Sequence, residues 1–166
     1  TDHDQQIWDE ELKDFVPSRV FDVHIHLFNP EHMQSVESTW SYADLRTIQQ
    51  WAKRLYPGRE VHFLVLGTPA IGHSVDSHNR WAIEQVQRDS QSRMNRLVTP
   101  QCSTDDIRRD VTDHGFLGLK PYRIYSTTGD IHQCRIREFL TPDQLELAND
   151  LGLWVTMHLS RFHGCA

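Results

Sequence analysis

Short apolar runs alternate with amphipathic helical stripes along this chain, and that alternation restricts its possible folds more than any other feature. RVFDVHIHLF (19–28) is rich in β-branched and aromatic residues and stops at Asn29-Pro30, as a strand would. From about Thr39 to Tyr56, Leu45, Ile48, Ala52 and Leu55 form an apolar stripe at helical spacing, closed by Pro57-Gly58. VHFLVLG (61–67) is apolar almost throughout, the pattern of a strand covered on both faces. Asp76 or Ser77 can cap a helix carrying Ala82, Ile83 and Val86, and RLVT (96–99) is a short strand ended by Pro100. Ser103 caps the next helix, with Asp105 and Asp106 in the first turn where the macrodipole favours negative charge. That helix presents Ile107 and Val111 and ends at Gly115. FLGLK (116–120) is a strand broken by Pro121. Thr141-Pro142-Asp143-Gln144 is a capping box with proline at the first helical position, followed by Leu145, Ala148 and Leu151 on one side and Gly152 past the end. LWVTMHL (153–159) is the fifth strand.

Strand and helix thus repeat four times before a last strand, which implies parallel strands joined by helical crossovers. Two architectures fit: an open doubly wound sheet, or a (β/α)8 barrel of TIM type. No glycine-rich phosphate loop follows the first strand, which weighs against a nucleotide-binding sheet. A barrel of this kind takes about 250 residues. The 166 residues are therefore expected to be one domain, an α/β unit carrying about the first five strands of the barrel. Residues 1–18 are acidic and polar, with Ile7, Trp8, Leu12 and Phe15 near helical spacing. They predict a leading helix packed on the main body. An unclosed sheet leaves its first and fifth strands with unpaired edges, which invites self-association into a homo-oligomer.

Composition narrows the function. With 38% hydrophobic and 24% charged residues the chain reads as soluble and globular. No apolar run approaches the roughly 20 residues of a membrane helix, and the start lacks the basic-then-apolar order of a secretory signal. A cytoplasmic location is the expectation. A net charge of −6 argues against a general nucleic-acid binder and leaves room for a local basic pocket. Cys102, Cys134 and Cys165 are scattered, which suits reduced packing or surface thiols.

The 11 histidines are the unusual component. Side chains alternate along a strand, so Asp22, His24 and His26 share one face, while Phe21, Val23, Ile25 and Leu27 face the helices. The polar set then faces the barrel interior, with the histidines toward the C-terminal end, where barrel enzymes build their sites. Two imidazoles two residues apart can chelate a divalent ion. His158 stands near the end of the fifth strand, in alternation with Trp154 and Thr156 on the inward face. A metal held by His24, His26 and His158 is the expectation; three hydrogen-bonded core histidines are the alternative.

These residues also match a known pattern. FDVHIHLF, GFLGLKPYR and LWVTMHLSR resemble strands one, four and five of the amidohydrolase superfamily, and are most similar to its amidohydrolase-related (amidohydrolase 2-like) branch of hydrolases and decarboxylases. The resemblance runs from about Arg19 to the last residue, and DxHxH is its most specific element. It implies a (β/α)8 barrel with zinc, or manganese as the alternative, on the HxH pair and the strand-five histidine. It also implies an aspartate after an eighth strand, a group this sequence does not contain. In some branches a strand-four lysine is carbamylated and bridges two metals. GLKPYR looks more like the mononuclear branch, in which Lys120 would meet substrate.

That role requires Phe116, Gly118 and Lys120 to share the inward face; a lysine snorkelling to solvent is the competing reading. Tyr122, Arg123 and Arg161 fall at the same strand ends and with Lys120 would hold a substrate carboxylate, arginine in bidentate fashion. The stretch 121–140 reads either as a lid over the pocket or as a decorated surface loop. His73 and His163 read as plain loop residues. Together these features predict a divalent-metal-dependent hydrolase of a small organic acid or its lactone, amide or ester, the metal polarising a carbonyl and acidifying a water. Metal-dependent non-oxidative decarboxylation is the alternative within the class. A non-catalytic half-barrel, and an open α/β domain with metal-free histidine acid–base chemistry, are the alternatives outside it.

Overall fold

The computed structural model of the chain describes residues 1–32, 42–69 and 74–158. Five strands, β1 (Arg19–Ile25), β2 (Glu60–Leu66), β3 (Arg93–Val98), β4 (Gly118–Pro121) and β5 (Trp154–Val155), alternate with helices α2 (Leu45–Leu55), α3 (Val75–Val86), α4 (Thr104–His114) and α5 (Pro142–Asp150), after a leading helix α1 (Asp2–Ile7). All pairings are parallel and the spatial order is β1-β2-β3-β4-β5. A doubly wound sheet needs a reversal in strand order, and the described sheet has none. Its inner face is concave enough for side chains to bridge across an intervening strand. The Tyr122 hydroxyl donates to the Gly67 carbonyl at 2.9 Å, and Asn95 Nδ2 donates to Thr156 Oγ1 at 2.8 Å above Gly118 of β4. A Cβ at Gly118 would lie 2.2 Å from the Trp154 carbonyl oxygen, so this crossing requires glycine there. The architecture is a parallel α/β half-barrel.

Helices cover the outer face through two apolar clusters. Phe63, Val65 and Met94 pack against Leu45, Ile48 and Ala52 of α2 and Ala82, Ile83 and Val86 of α3. Val98 and Leu119 pack against Ile107, Leu147 and Ala148. Phe116 belongs to the first cluster, on the helix side, so it does not share the inward face with Gly118 and Lys120. It precedes β4, where strand alternation does not yet apply.

Local signals place several helix ends where the sequence puts them. Ser103 Oγ accepts from the Asp106 amide, Gly115 closes α4 at φ 76°, and the Thr141–Gln144 capping box starts α5. Other boundaries move. Ser74, rather than Asp76 or Ser77, caps α3. The helix expected from Thr39 starts at Leu45 with Asp44 as its cap, because Ala43 is engaged in an antiparallel bridge to Phe28. β3 begins three residues early, at Arg93, and Pro121 lies within β4, paired with Val98.

Two apolar expectations fail at the periphery. In the leading segment α1 runs into a π-helical turn, Trp8–Leu12, and Trp8 alone is buried there, whereas Phe15 is 84% exposed. Arg59 holds this segment: its Nε donates to the Val16 carbonyl at 3.2 Å, its Nη2 donates to the Lys13 carbonyl, and its guanidinium lies 5.2 Å from the Trp8 ring. The expected alternation along β1 fails before its irregularity: Asp22 pairs with Phe63 on the helix side and Phe21 with His62 on the opposite side, so Asp22 does not share the face of His24 and His26, and Phe21 and Val23 are exposed. Among the described residues no helix is long and apolar enough to cross a membrane.

Candidate functional site on the concave face

The inner face carries the histidines. Asp22 Oδ1 accepts from the His24 amide at 3.0 Å, and the β1–β2 register shifts between Asp22 and Ile25. That irregularity sets the last residues of the strand. His24 and His26 stand edge to face with ring centroids 5.3 Å apart. His26 Nδ1 lies 3.0 Å from the Leu66 carbonyl oxygen, which can only accept, so the proton is on Nδ1 and the Nε2 lone pair is left available. Burial pushes His26 down to about 4, helped by the charges of His24, Lys120 and His158 and opposed by the Leu66 bond.

His158 is exposed at the rim beyond β5, its ring 5.3 Å from that of Tyr122. It too is pushed down, first by burial and then by Lys120, Arg123 and His24. The outward packing of Leu153, Val155 and Met157 leaves Trp154, Thr156 and His158 on the inward alternation. Lys120 is 1% exposed, and its Nζ sits 4.8 Å above the Tyr122 ring. It is therefore an interior lysine rather than a snorkelling one, and burial lowers its pKa. Burial likewise pushes the Tyr122 phenol up, and its hydroxyl is committed to Gly67. The ring face is what Tyr122 turns toward Lys120 and His158.

Arg123 is buried beside this group. Its Nη2 donates to the His132 carbonyl, while its Nε is buried with no partner. Arg161, His73, His163 and Cys165 lie outside the described residues. The histidines and Lys120 thus come within electrostatic reach of one another. Among the described residues, however, no group of three or more His, Cys, Asp or Glu side chains is close enough to hold a metal ion. The site as placed is a cluster of imidazoles, that of His26 neutral, beside buried Lys120 and Arg123.

Sequence reasoning missed the structure behind the cluster. His78 of α3 is 2% exposed, and its Nε2 accepts from the Thr68 amide at 3.0 Å. Thr68 Oγ1 in turn donates to the Leu27 carbonyl at 2.8 Å, tying the ends of β1 and β2 together beside His26. Burial, with His32 and His26, pushes His78 down to about 4, so it is neutral and suited to accepting. Asn79 clamps the Leu97 backbone through both its Oδ1 and its Nδ2, at 2.9 Å each. Nothing in spacing marked these two helical residues. The loop after β4 is more ordered than its sequence suggested. It forms 3-10 turns at Arg123–Tyr125 and Ile136–Glu138 and anchors Cys134, Phe139 and Leu140 in the second core cluster. Cys102 and Cys134 are packing thiols, as expected.

No protein-family model matches the sequence, and no curated protein matches it. A solved structure resembles the fold: the crystal structure of a probable 2-pyrone-4,6-dicarboxylic acid hydrolase from Acinetobacter baumannii with citric acid bound. The TM-score is 0.55 at 13% identity, over 83% of this chain and 48% of that one. The chain therefore spans about half the length of that protein. At such identity the likeness is one of fold, and it pairs this α/β half-barrel with part of a hydrolase.

Proposed function

We propose that this chain is the histidine-bearing part of a divalent-metal-dependent hydrolase of the amidohydrolase-related type, acting on a C–O or C–N bond of a small anionic substrate. The observation that carries this reading is the placement of His24, His26, Lys120 and His158 on one concave face at the C-terminal ends of parallel strands. Catalytic barrels build their sites there.

The donor set suits a borderline metal such as zinc, with manganese the alternative. His26 is held neutral, and its Nδ1 bond to Leu66 aims the other nitrogen, the usual support for a ligating histidine. His24 and His26 would hold the ion, with His158 approaching as the third ligand. A divalent ion there would supply Lewis acidity toward a carbonyl. The chain's own groups do the rest. Lys120 and Arg123, and Arg161 from beyond the described residues, would bind and orient a substrate carboxylate. The Tyr122 ring would shield the floor of the site from water. The structural neighbour's name, a hydrolase of a dicarboxylic acid with citric acid bound, agrees with a carboxylate-bearing substrate and favours hydrolysis over decarboxylation.

The test is metal content. Purified protein should retain zinc or manganese through dialysis, and His24→Ala should lose most of it. Equal content in the two proteins would refute the metal site.

A further inference from the structure

Tyr122, Arg123 and His158 form one side of a cavity of about 330 Å³, within the size range of small-molecule sites. Ile124, Ile131 and Pro69 supply its apolar surface, and no Asp or Glu is among its described lining residues. Arg123 is 96% buried, being 4% exposed, and among the described residues it spends only Nη2, at the His132 carbonyl. Its Nε has no partner. The exposed loop residue Asp130 feels the Arg123 charge, yet no ion pair joins the two. A desolvated guanidinium lacking a counter-anion is costly, and a ligand carboxylate would relieve that cost. Ile124 and Ile131 are respectively 39% and 44% exposed, which leaves apolar surface uncovered beside the cation.

We infer that this cavity takes an organic acid with an apolar arm, the carboxylate on the Arg123 guanidinium and the hydrocarbon against Ile124, Ile131 and Pro69. The inference deepens the proposed function and rests on that reading's choice of strand ends as the substrate site. It adds a selection rule. A compact polycarboxylate such as citrate would set polar groups against isoleucine without partners and be disfavoured. An uncharged molecule of the same shape would leave Arg123 unneutralised.

The experiment is calorimetric titration with phenylacetate, acetate, citrate and 2-phenylethanol, on protein with and without chelator treatment. Phenylacetate should bind about ten-fold more tightly than each of the others. Arg123→Met should erase its advantage over 2-phenylethanol. Ile131→Asn, a change on a half-exposed loop residue that should leave the fold intact, should weaken phenylacetate several-fold and leave citrate unchanged. Citrate or acetate binding as tightly as phenylacetate, or an Ile131→Asn protein with wild-type affinity, would overturn the inference. These readings need no metal. A failed metal site would show as content unaffected by His24→Ala, whereas a failed cavity would show in the titrations.

Discussion

The two walls of the half-barrel both bury cations, and they treat them in opposite ways. On the outer wall Arg96 is 1% exposed and fully engaged. Its Nε donates to Asp110 at 2.7 Å, Nη2 to Asp76 at 3.1 Å and Nη1 to the Leu97 carbonyl at 3.1 Å. Burial works to lower its pKa, but Cys102 and Asp110 more than offset that, and the net shift is upward. On the inner wall Lys120 is just as buried, no carboxylate among the described residues pairs with it, and burial lowers its pKa unopposed. Arg123, close by, keeps an unpartnered Nε. Similar burial with unequal compensation separates a cation that holds α3 and α4 to the sheet from cations that no carboxylate pairs with among the described residues.

Breaking the outer arrangement should have the largest effect. Asp110→Ala leaves the buried Arg96 with one bridge, to the mostly exposed Asp76, and should cost about 3 kcal/mol. Chemical denaturation measures it, and a loss under about 1 kcal/mol would erase the contrast between the two walls. A second large effect comes from the base that stays neutral. His78 has a folded-state pKa of about 4, below its unfolded value of 6.5. As pH falls through that window the unfolded chain binds the proton first. The associated stability is thus complete above about pH 6.5 and drains away toward pH 4, by on the order of 2–3 kcal/mol. Denaturation at pH 7.5 and at pH 4.5 should show a gap that shrinks by most of this amount in His78→Gln; an unchanged gap would contradict the neutral assignment.

The inner wall should respond far less. Lys120→Met removes an uncompensated cation at similar volume and should shift stability by less than about 1 kcal/mol, in either direction. The same variant should lose affinity for carboxylate ligands. A strongly destabilised Lys120→Met protein with normal ligand binding would make Lys120 structural, like Arg96. The smallest effect is expected at Asp130, whose side chain already accepts from the His132 and Gln133 amides. Asp130→Asn keeps an acceptor there and should leave the melting temperature unchanged. A measurable drop would mean that Asp130 serves as the counter-ion of Arg123 after all.

Much of the frame was legible in the residues because its causes are local. Ser103, Gly115 and the Thr141–Gln144 box act within one helical turn. A period of two puts Gly118 with Lys120, and Trp154 with Thr156, on the inner face. The misreadings arose where a distant segment decides. Arg93-Met94-Asn95 carries too much polarity to read as strand until Asn95 is seen to reach Thr156 across β4. Strict alternation grouped Asp22 with His24 and His26, but the register shift after Asp22, set by pairing with β2, leaves Asp22 beside Phe63 on the helix side. His78 and Asn79 looked like ordinary helix residues until α3 brought them against Thr68 and Leu97.

The sequence by itself determined the strand–helix alternation, the parallel sheet that follows from it, and the side that Lys120 and Thr156 take at the fourth and fifth strands. These depend on periodicities and caps spanning a few residues. Tertiary structure alone decided which buried charges receive a partner, as when Asp76 and Asp110 meet Arg96 and no carboxylate among the described residues meets Lys120, and which imidazole nitrogen stays available, as when Leu66 binds His26 across 40 positions of sequence. Such pairings join residues whose separation along the chain carries no pattern, and only the closed packing of helices on a curved sheet brings them within hydrogen-bond range.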